Sequence, residues 1–565
     1  MIDTSAASRE VADRYLAARA EVDPEAAAAL GREVACLLPD LSPDGFAART
    51  EVDRTAAAAL PERPTDPLGA ALAERLASDI ALYDCGFTTT LLAPLATPVH
   101  GLRQVFDDLP RGDEGDWERV ADHLDAAAAG FGQYAVTLQA SVAAGHRLAL
   151  RQVALVADQC AGWIDPAGTD FYRTLVASYP GSGPLAGRLT AGAQRVSAAA
   201  DDFVTFLRRD LAPQAGSPDA VGAEVYCVTS GAFLGATVDL VELYDYGWSE
   251  LRRLSDAAGR LATELTGLDN LEAARAALDE MPGARVAVGD ELIGWLQHRL
   301  DRVSAALDGP HFDIPEATGR VEARMVTAGS GVMYYSPPDP GLTRPGRVWW
   351  TVPPGTTEVA TWREASTVHH EGLPGHHLQH AVTLAVPELH PWQRYLCQVH
   401  GYAEGWAHYA EQLAVELGLV DGGAEQLGVY GAQLWRAARI VIDLGLHLGL
   451  PIPPGNGLLD ATTWEPAMAA EFLAAVAGTD PATARYEVDR YLGWPGQALA
   501  FKVGARLWTQ ARSEQQRLRG DAFDLKDFHM TALGLGPMGL GPLRDLLAAR
   551  ARAVPRDGGP ERPAT

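Results

Sequence analysis

The sequence predicts a mainly α-helical protein carrying one small β element just before a histidine-rich helix. Three observations lead there. Ala, Leu, Arg and Glu dominate most of the chain, with apolar residues three and four apart, as in "ALAERLASDIALYDCGF" and "LEAARAALDEMPGA". Aromatic and β-branched runs concentrate after residue 316, in "GVMYYS" (331–336) and "RVWWTV" (347–352), joined by a Pro/Gly-rich connection that predicts a hairpin. Eight of the 15 histidines fall between positions 369 and 408, a crowding that scattered structural histidines do not produce.

In chain order, residues 1–315 read as a helical N-terminal region, punctuated by "YPGSGPLAG" (179–187) and "LAPQAGSPDA" (211–220). Residues 316–550 read as the catalytic region, and 551–565 as a disordered tail. Whether the two large parts separate or continue as one fold is left open. The chain is long enough, at 565 residues, for sizeable buried cores. A net charge of -27 argues against a nucleic acid partner, which needs clustered Lys and Arg. Cys36, Cys85, Cys160, Cys227 and Cys397 are odd in number and widely spaced, giving neither a disulfide framework nor a thiolate zinc site. No basic segment leads into an apolar run at the start, and no stretch is long and apolar enough for a membrane span. The expected location is cytoplasmic; the oligomeric state is not specified.

The stretch "HHEGLPGHHLQH" (369–380) carries the chemistry. His and Glu ligands with one position left for water suit zinc, one ion per chain. An HExxH helix would put two imidazoles one turn apart, yet His376 follows His370 by six residues. Residues on a helix advance about 100° each, so an unbroken helix would turn His376 away and set His377 roughly 10 Å along the axis. Pro374 cannot donate to the preceding turn and Gly375 frees the backbone, so two residues loop out and His376 returns beside His370. Geometry alone leaves His377 as an alternative. Glu371, next to the first ligand, is then the general base. The third ligand comes from "HGYAEGWAHYAEQL" (400–413), where His400, Glu404, His408 and Glu411 share one helical face. Glu404, between Ala403 and Gly405, is the choice; His408 is the alternative or a supporting residue.

Two later segments offer support. "WRAARIVIDLGLH" places Arg436, Arg439, Asp443 and His447 on one stripe of an apolar helix, facing a polar cavity, orienting ligands, or forming an internal ion network. "DRYLGWPGQALAFKVG" carries Arg490, Tyr491, Gln497 and Lys502 around a Pro-Gly break. Tyr491 is the candidate oxyanion donor. Arg490 or Lys502, with Gln497, would bind substrate through its C-terminal carboxylate. "RVWWTV" would pair with an extended peptide as an edge strand.

"REASTVHHEGLPGHHLQ", "GYAEGWAHYAEQL", "LWRAARIVIDLGLH", "EVDRYLGWPGQALAFKVG" and "FHMTALGLGPMGLGPL" resemble the successive motifs of a bacterial family, domain of unknown function 885, over roughly residues 15–550. That family is regarded as zincin-like, distantly similar to helical oligopeptidases and carboxypeptidases. The resemblance implies a large helical fold with a deep cleft and a zinc-dependent peptidase activity. The expected substrate is a short peptide. The rival expectations are hydrolysis of a non-peptide amide in small-molecule metabolism, and a non-catalytic metal-stabilised binding protein.

Overall fold

The computed structural model describes residues 4–553 apart from 35, 166, 169, 217, 327–332, 340 and 353–354. Helix makes up 68% and strand 4%, so the sheets are inserts on a helical body. Local chemistry sets many helix starts: Asp113 and Asp116 form a reciprocal capping box at the head of Glu114–Ala143. The helix Leu540–Ala553 takes in 551–553, assigned from sequence to the disordered tail; 554–565 lie outside the described residues. No described helix is long and apolar enough to cross a membrane.

Five short strands occur among the described residues: β1 Arg285–Ala287, β2 Val321–Met325, β3 Tyr334–Ser336, β4 Gly346–Trp350 and β5 Glu358–Ala360. β3 and β4 form the expected antiparallel hairpin, but β2 adds in parallel on the other side of β4. The order β2-β4-β3 makes β4 central. Both its edges are hydrogen-bonded, so the edge-strand role expected for "RVWWTV" is corrected: no free backbone row remains there for a peptide. β1 pairs antiparallel with β5, and β5 leads the chain into Thr361–Thr367, the helix that opens the histidine-rich segment.

Two large apolar cores frame that segment. The first joins Val11, Leu72, Leu300, Val348, Val368, Trp406 and Leu543. The second joins Tyr226, Trp248, Trp362, Leu434, Ile440 and Tyr491. Both draw on residues from either side of position 315. A third, around Phe131, Tyr134 and Phe203, lies wholly within 41–211. The His400–Glu416 helix belongs to the first core and Gly422–Leu448 to the second, so the metal-ligand candidates sit along their seam. Glycines let the backbones close up there: a Cβ on Gly405 would lie 2.6 Å from the Gly504 carbonyl carbon in the Ala500–Arg519 helix.

Candidate metal centre

The insertion inferred from Pro374 and Gly375 is present. The Thr361–Thr367 helix widens into a π-helical turn at Val368–Gly372, extended residues follow, and a new helix starts at His376. Gly375 lies against the turn it leaves: a Cβ there would stand 1.9 Å from the His370 carbonyl oxygen. His369 Nδ1 donates to the Leu373 carbonyl (3.0 Å) and Trp406 Nε1 to the Pro374 carbonyl (2.9 Å), pinning the insertion from both sides. The His370 and His376 rings consequently stand 4.9 Å apart, edge to face.

Glu404 completes the set. Its Oε2 lies 3.2 Å from His370 Nε2 and 3.4 Å from His376 Nε2. All three ligand atoms fall within 4.8 Å of one another. Ligands at about 2.0–2.2 Å from a tetrahedral zinc are separated by roughly 3.3 Å, so the donor set fits that ion in identity and spacing. Burial opposes ionisation of Glu404, but His376 and His370 hold it well below the usual carboxylate range.

Behind the cluster, Glu411 does what outer partners of metal-bound histidines do. Its Oε1 accepts from His370 Nδ1 at 2.7 Å, which leaves Nε2 for the metal. Ser366 Oγ donates to Glu411 at 2.8 Å and His408 Nδ1 lies 3.2 Å away. Burial disfavours a proton on His370, yet Glu404 and Glu411 together raise it to about 9. Glu371 is half-buried and makes no hydrogen bond among the described residues; it faces a cavity of about 460 Å³ that His370, Glu411 and Arg436 also line. Burial pushes its carboxyl up, against the pull of His376 and His370.

The remaining expectations fare differently. His377 is not a ligand: fully buried, it places Nε2 on the Gly319 carbonyl (2.9 Å) and Nδ1 on the Tyr335 hydroxyl (3.0 Å), tying the sheet to the His376–Ala385 helix. His408 supports Glu411 and stays outside the ligand cluster. Tyr491 is corrected as oxyanion donor. Its hydroxyl donates to Glu487 (2.7 Å) and accepts from Arg439 (3.0 Å), leaving no O–H for substrate. Arg490 grips both oxygens of Glu487 and the Gln497 Oε1, so Arg490 is spent inside the protein and the Gln497 oxygen is taken. Lys502 pairs with Glu250 (3.0 Å) and Gln433 (2.6 Å). This motif is a closed internal network, the ordinary way to bury charge.

Asp443 and His447 likewise stand outside the candidate ligand cluster. Asp443 accepts from the Tyr226 hydroxyl (2.7 Å) and the Gly496 N–H (2.9 Å), and His447 Nε2 donates to the Tyr491 carbonyl (3.1 Å). Burial raises Asp443 from 3.8 to about 7. A carboxyl raised on folding contributes its stability below its unfolded pKa and loses it as pH climbs through the folded one. Asp443→Asn, keeping the acceptor oxygen without the charge, should therefore melt higher than the parent at pH 8, with the gap closing toward pH 4. Calorimetric melts check this; a lower melting temperature at pH 8 contradicts it.

Among functional residues, Glu411 was visible only as part of a face, because its partners Ser366 and His370 lie on another helix. Arg275, also lining the cavity, gave no signal: "LEAARAALDE" reads as an ordinary amphipathic helix.

Residues 24–547 match the sequence model of a family described as "Bacterial protein of unknown function (DUF885)". No curated protein matches the chain. Two similar solved structures extend over nearly the whole length. A candidate lipoprotein from Colwellia psychrerythraea is 20% identical with a TM-score of 0.81, covering 96% of this chain and 99% of its own. A candidate lipoprotein of unknown function from Shewanella oneidensis is 16% identical with a TM-score of 0.71, covering 97% and 100%. At these identities the likeness shows the fold alone.

Proposed function

The chain belongs to the bacterial family of unknown function DUF885, and on that premise we propose that it is a zinc-dependent metallopeptidase acting on short peptides. One observation carries the reading: three ligand atoms of His370, His376 and Glu404 converge beside a carboxylate, Glu371, that stays unbonded and faces a cavity. A purely structural metal site has no use for such a base. The cavity volume, about 460 Å³, lies in the range of pockets for small ligands, which favours short peptides over folded proteins.

His370, His376 and Glu404 would hold the ion, with Glu411 fixing the His370 ring. Zinc there would supply Lewis acidity, polarising the scissile carbonyl and making water a nucleophile at neutral pH. The Glu371 carboxylate would accept the proton of the attacking water and return it to the leaving amine nitrogen. Digestion of a peptide library, read by mass spectrometry with and without chelator, tests the proposal. Chelator-sensitive cleavage supports it; intact peptides in the presence of zinc count against it.

His376→Ala should abolish metal uptake, whereas His377→Ala should keep the metal and lower the melting temperature by cutting the sheet loose. Metal content of the two purified variants is the check, and the reversed pattern would move the ligand to His377. For location, the two structural neighbours are described as candidate lipoproteins, which supports a site outside the cytoplasm as the rival to the cytoplasmic expectation. Cell fractionation with an antibody decides between them.

A further inference from the structure

The cavity beside Glu371 is lined by three arginines as well as four carboxylates, and two of the arginines have no ion-pair partner among the described residues. Arg363 lines it but is spent on Asp279, which takes both Nε (3.0 Å) and Nη2 (2.9 Å). Arg436 and Arg275 also line it, and neither forms an ion pair among the described residues. Arg436 has its Nε buried without a hydrogen-bond partner, and its guanidinium rests 5.8 Å from the Phe501 ring centre. Glu411 and Glu404 are near enough to act on its charge, yet its fork engages neither. Both carboxylates are already committed to the histidines.

Arg275 comes from a different helix, Leu271–Asp279, and is 7% exposed. Its one side-chain hydrogen bond among the described residues is a long one, Nη2 to the Val476 carbonyl at 3.3 Å. Gly478 makes its seat, since a Cβ there would stand 2.3 Å from Nη1; at Gly431 a Cβ would only reach ordinary contact, 4.0 Å from Nη2. Gly431 and Arg436 lie on the same helix, Gly422–Leu448, so one wall of the cavity carries Arg436 and closes on Arg275. Of the other acids on the lining, Glu364 accepts from Trp350 Nε1 (2.9 Å) and Asp480 caps the helix Pro481–Gly493, while Glu371 feels the Arg436 charge without forming an ion pair with it. A guanidinium drawn from water without an ion-pair partner is costly, and Arg275 is buried while Arg436 is partly so. Two of them facing one cavity fit an anion that arrives with the ligand, since the planar fork matches a carboxylate.

We propose that Arg436 and Arg275 form an anion subsite, and that the ligands of this cavity are short peptides bearing a free α-carboxylate or an acidic side chain. Calling that ligand the substrate rests on the peptidase reading; the binding itself does not. Three acetylated tripeptide libraries separate the cases: free acids without Asp or Glu, the matching C-terminal amides, and amides containing one Asp or Glu. Equilibrium dialysis against the full chain, with bound peptides quantified by mass spectrometry, is the measurement.

One or both anionic libraries should be retained about 10-fold or more above the neutral amides, the scale of a charged hydrogen bond. Which of them is retained identifies the source of the carboxylate. Arg436→Gln and Arg275→Gln should each bring retention close to that of the neutral amides, and Arg436→Lys should restore part of it. Melting curves run alongside, and if one Gln variant does not fold the other carries the test. Equal retention of all three libraries, no retention of any, or an unchanged preference in the folded variants overturns the subsite. Digestion of the same libraries is scored separately: charge preference without cleavage sinks the peptidase reading alone, and cleavage without charge preference sinks only the subsite.

Discussion

Glu371→Gln should retain its metal and lose turnover by roughly 10²–10⁴-fold, the usual contribution of a positioned general base. The substitution is nearly isosteric and removes only the capacity to take a proton. Glu371 bonds to none of the three ligands' partners, and the segment around it is held by other groups, His369 on Leu373 and Trp406 on Pro374. Folding and the ligand geometry should therefore survive. Glu404→Gln should fail differently, because an amide oxygen is a weaker zinc ligand than a carboxylate. That variant should lose metal first and activity as a consequence. Metal content and kcat measured on both variants distinguish the roles. Metal loss in Glu371→Gln with metal retained in Glu404→Gln would reverse the assignment of the two carboxylates.

Gly375→Ala is expected to be nearly as damaging, although it touches no ligand. An added Cβ would sit 1.9 Å from the His370 carbonyl oxygen and 2.4 Å from that of His369. Both are backbone atoms of the turn that carries the first ligand, so the collision cannot be relieved by a rotamer change. The insertion must open, and His376 moves away from His370 with it. Forced backbone shifts of this kind cost about 1–3 kcal/mol or more, and the metal set is lost besides. Gly372→Ala is the control: its Cβ would meet the Cδ2 end of Leu300 at 2.4 Å, a side chain that can turn aside. Metal uptake and melting temperature of the two variants should differ sharply. Normal zinc binding by Gly375→Ala would show that the close approach is dispensable.

The helical body and the looped ligand pair were legible because their causes are local. Pro374 and Gly375 lie inside the motif they distort, and Glu404 sits among small neighbours that admit another helix. The hairpin of β3 and β4 was legible for the same reason. The parallel partner β2 was not, since no turn signal links it to β4 and it is held by Gln297 of the preceding helix, and it turned an expected edge into the centre of a sheet. The downstream motif misled for a related reason. Tyr491, Arg490 and Lys502 are residue types suited to a cleft, but their fate depends on Glu487, Arg439 and Glu250. Only folding shows that Glu487 engages Tyr491 and Arg490 and that Glu250 pairs with Lys502. Arg275 is the converse case. An unremarkable helix face becomes part of the cavity because Gly478 leaves room for it.

The central claim is that His370, His376 and Glu404 bind one zinc ion. Titration of chelator-treated protein with zinc, followed by calorimetry and confirmed by elemental analysis, tests it most directly. The account predicts a single tight site per chain in the parent and its loss in His376→Ala. No saturable zinc binding in the parent, or an unchanged site in His376→Ala, would contradict it.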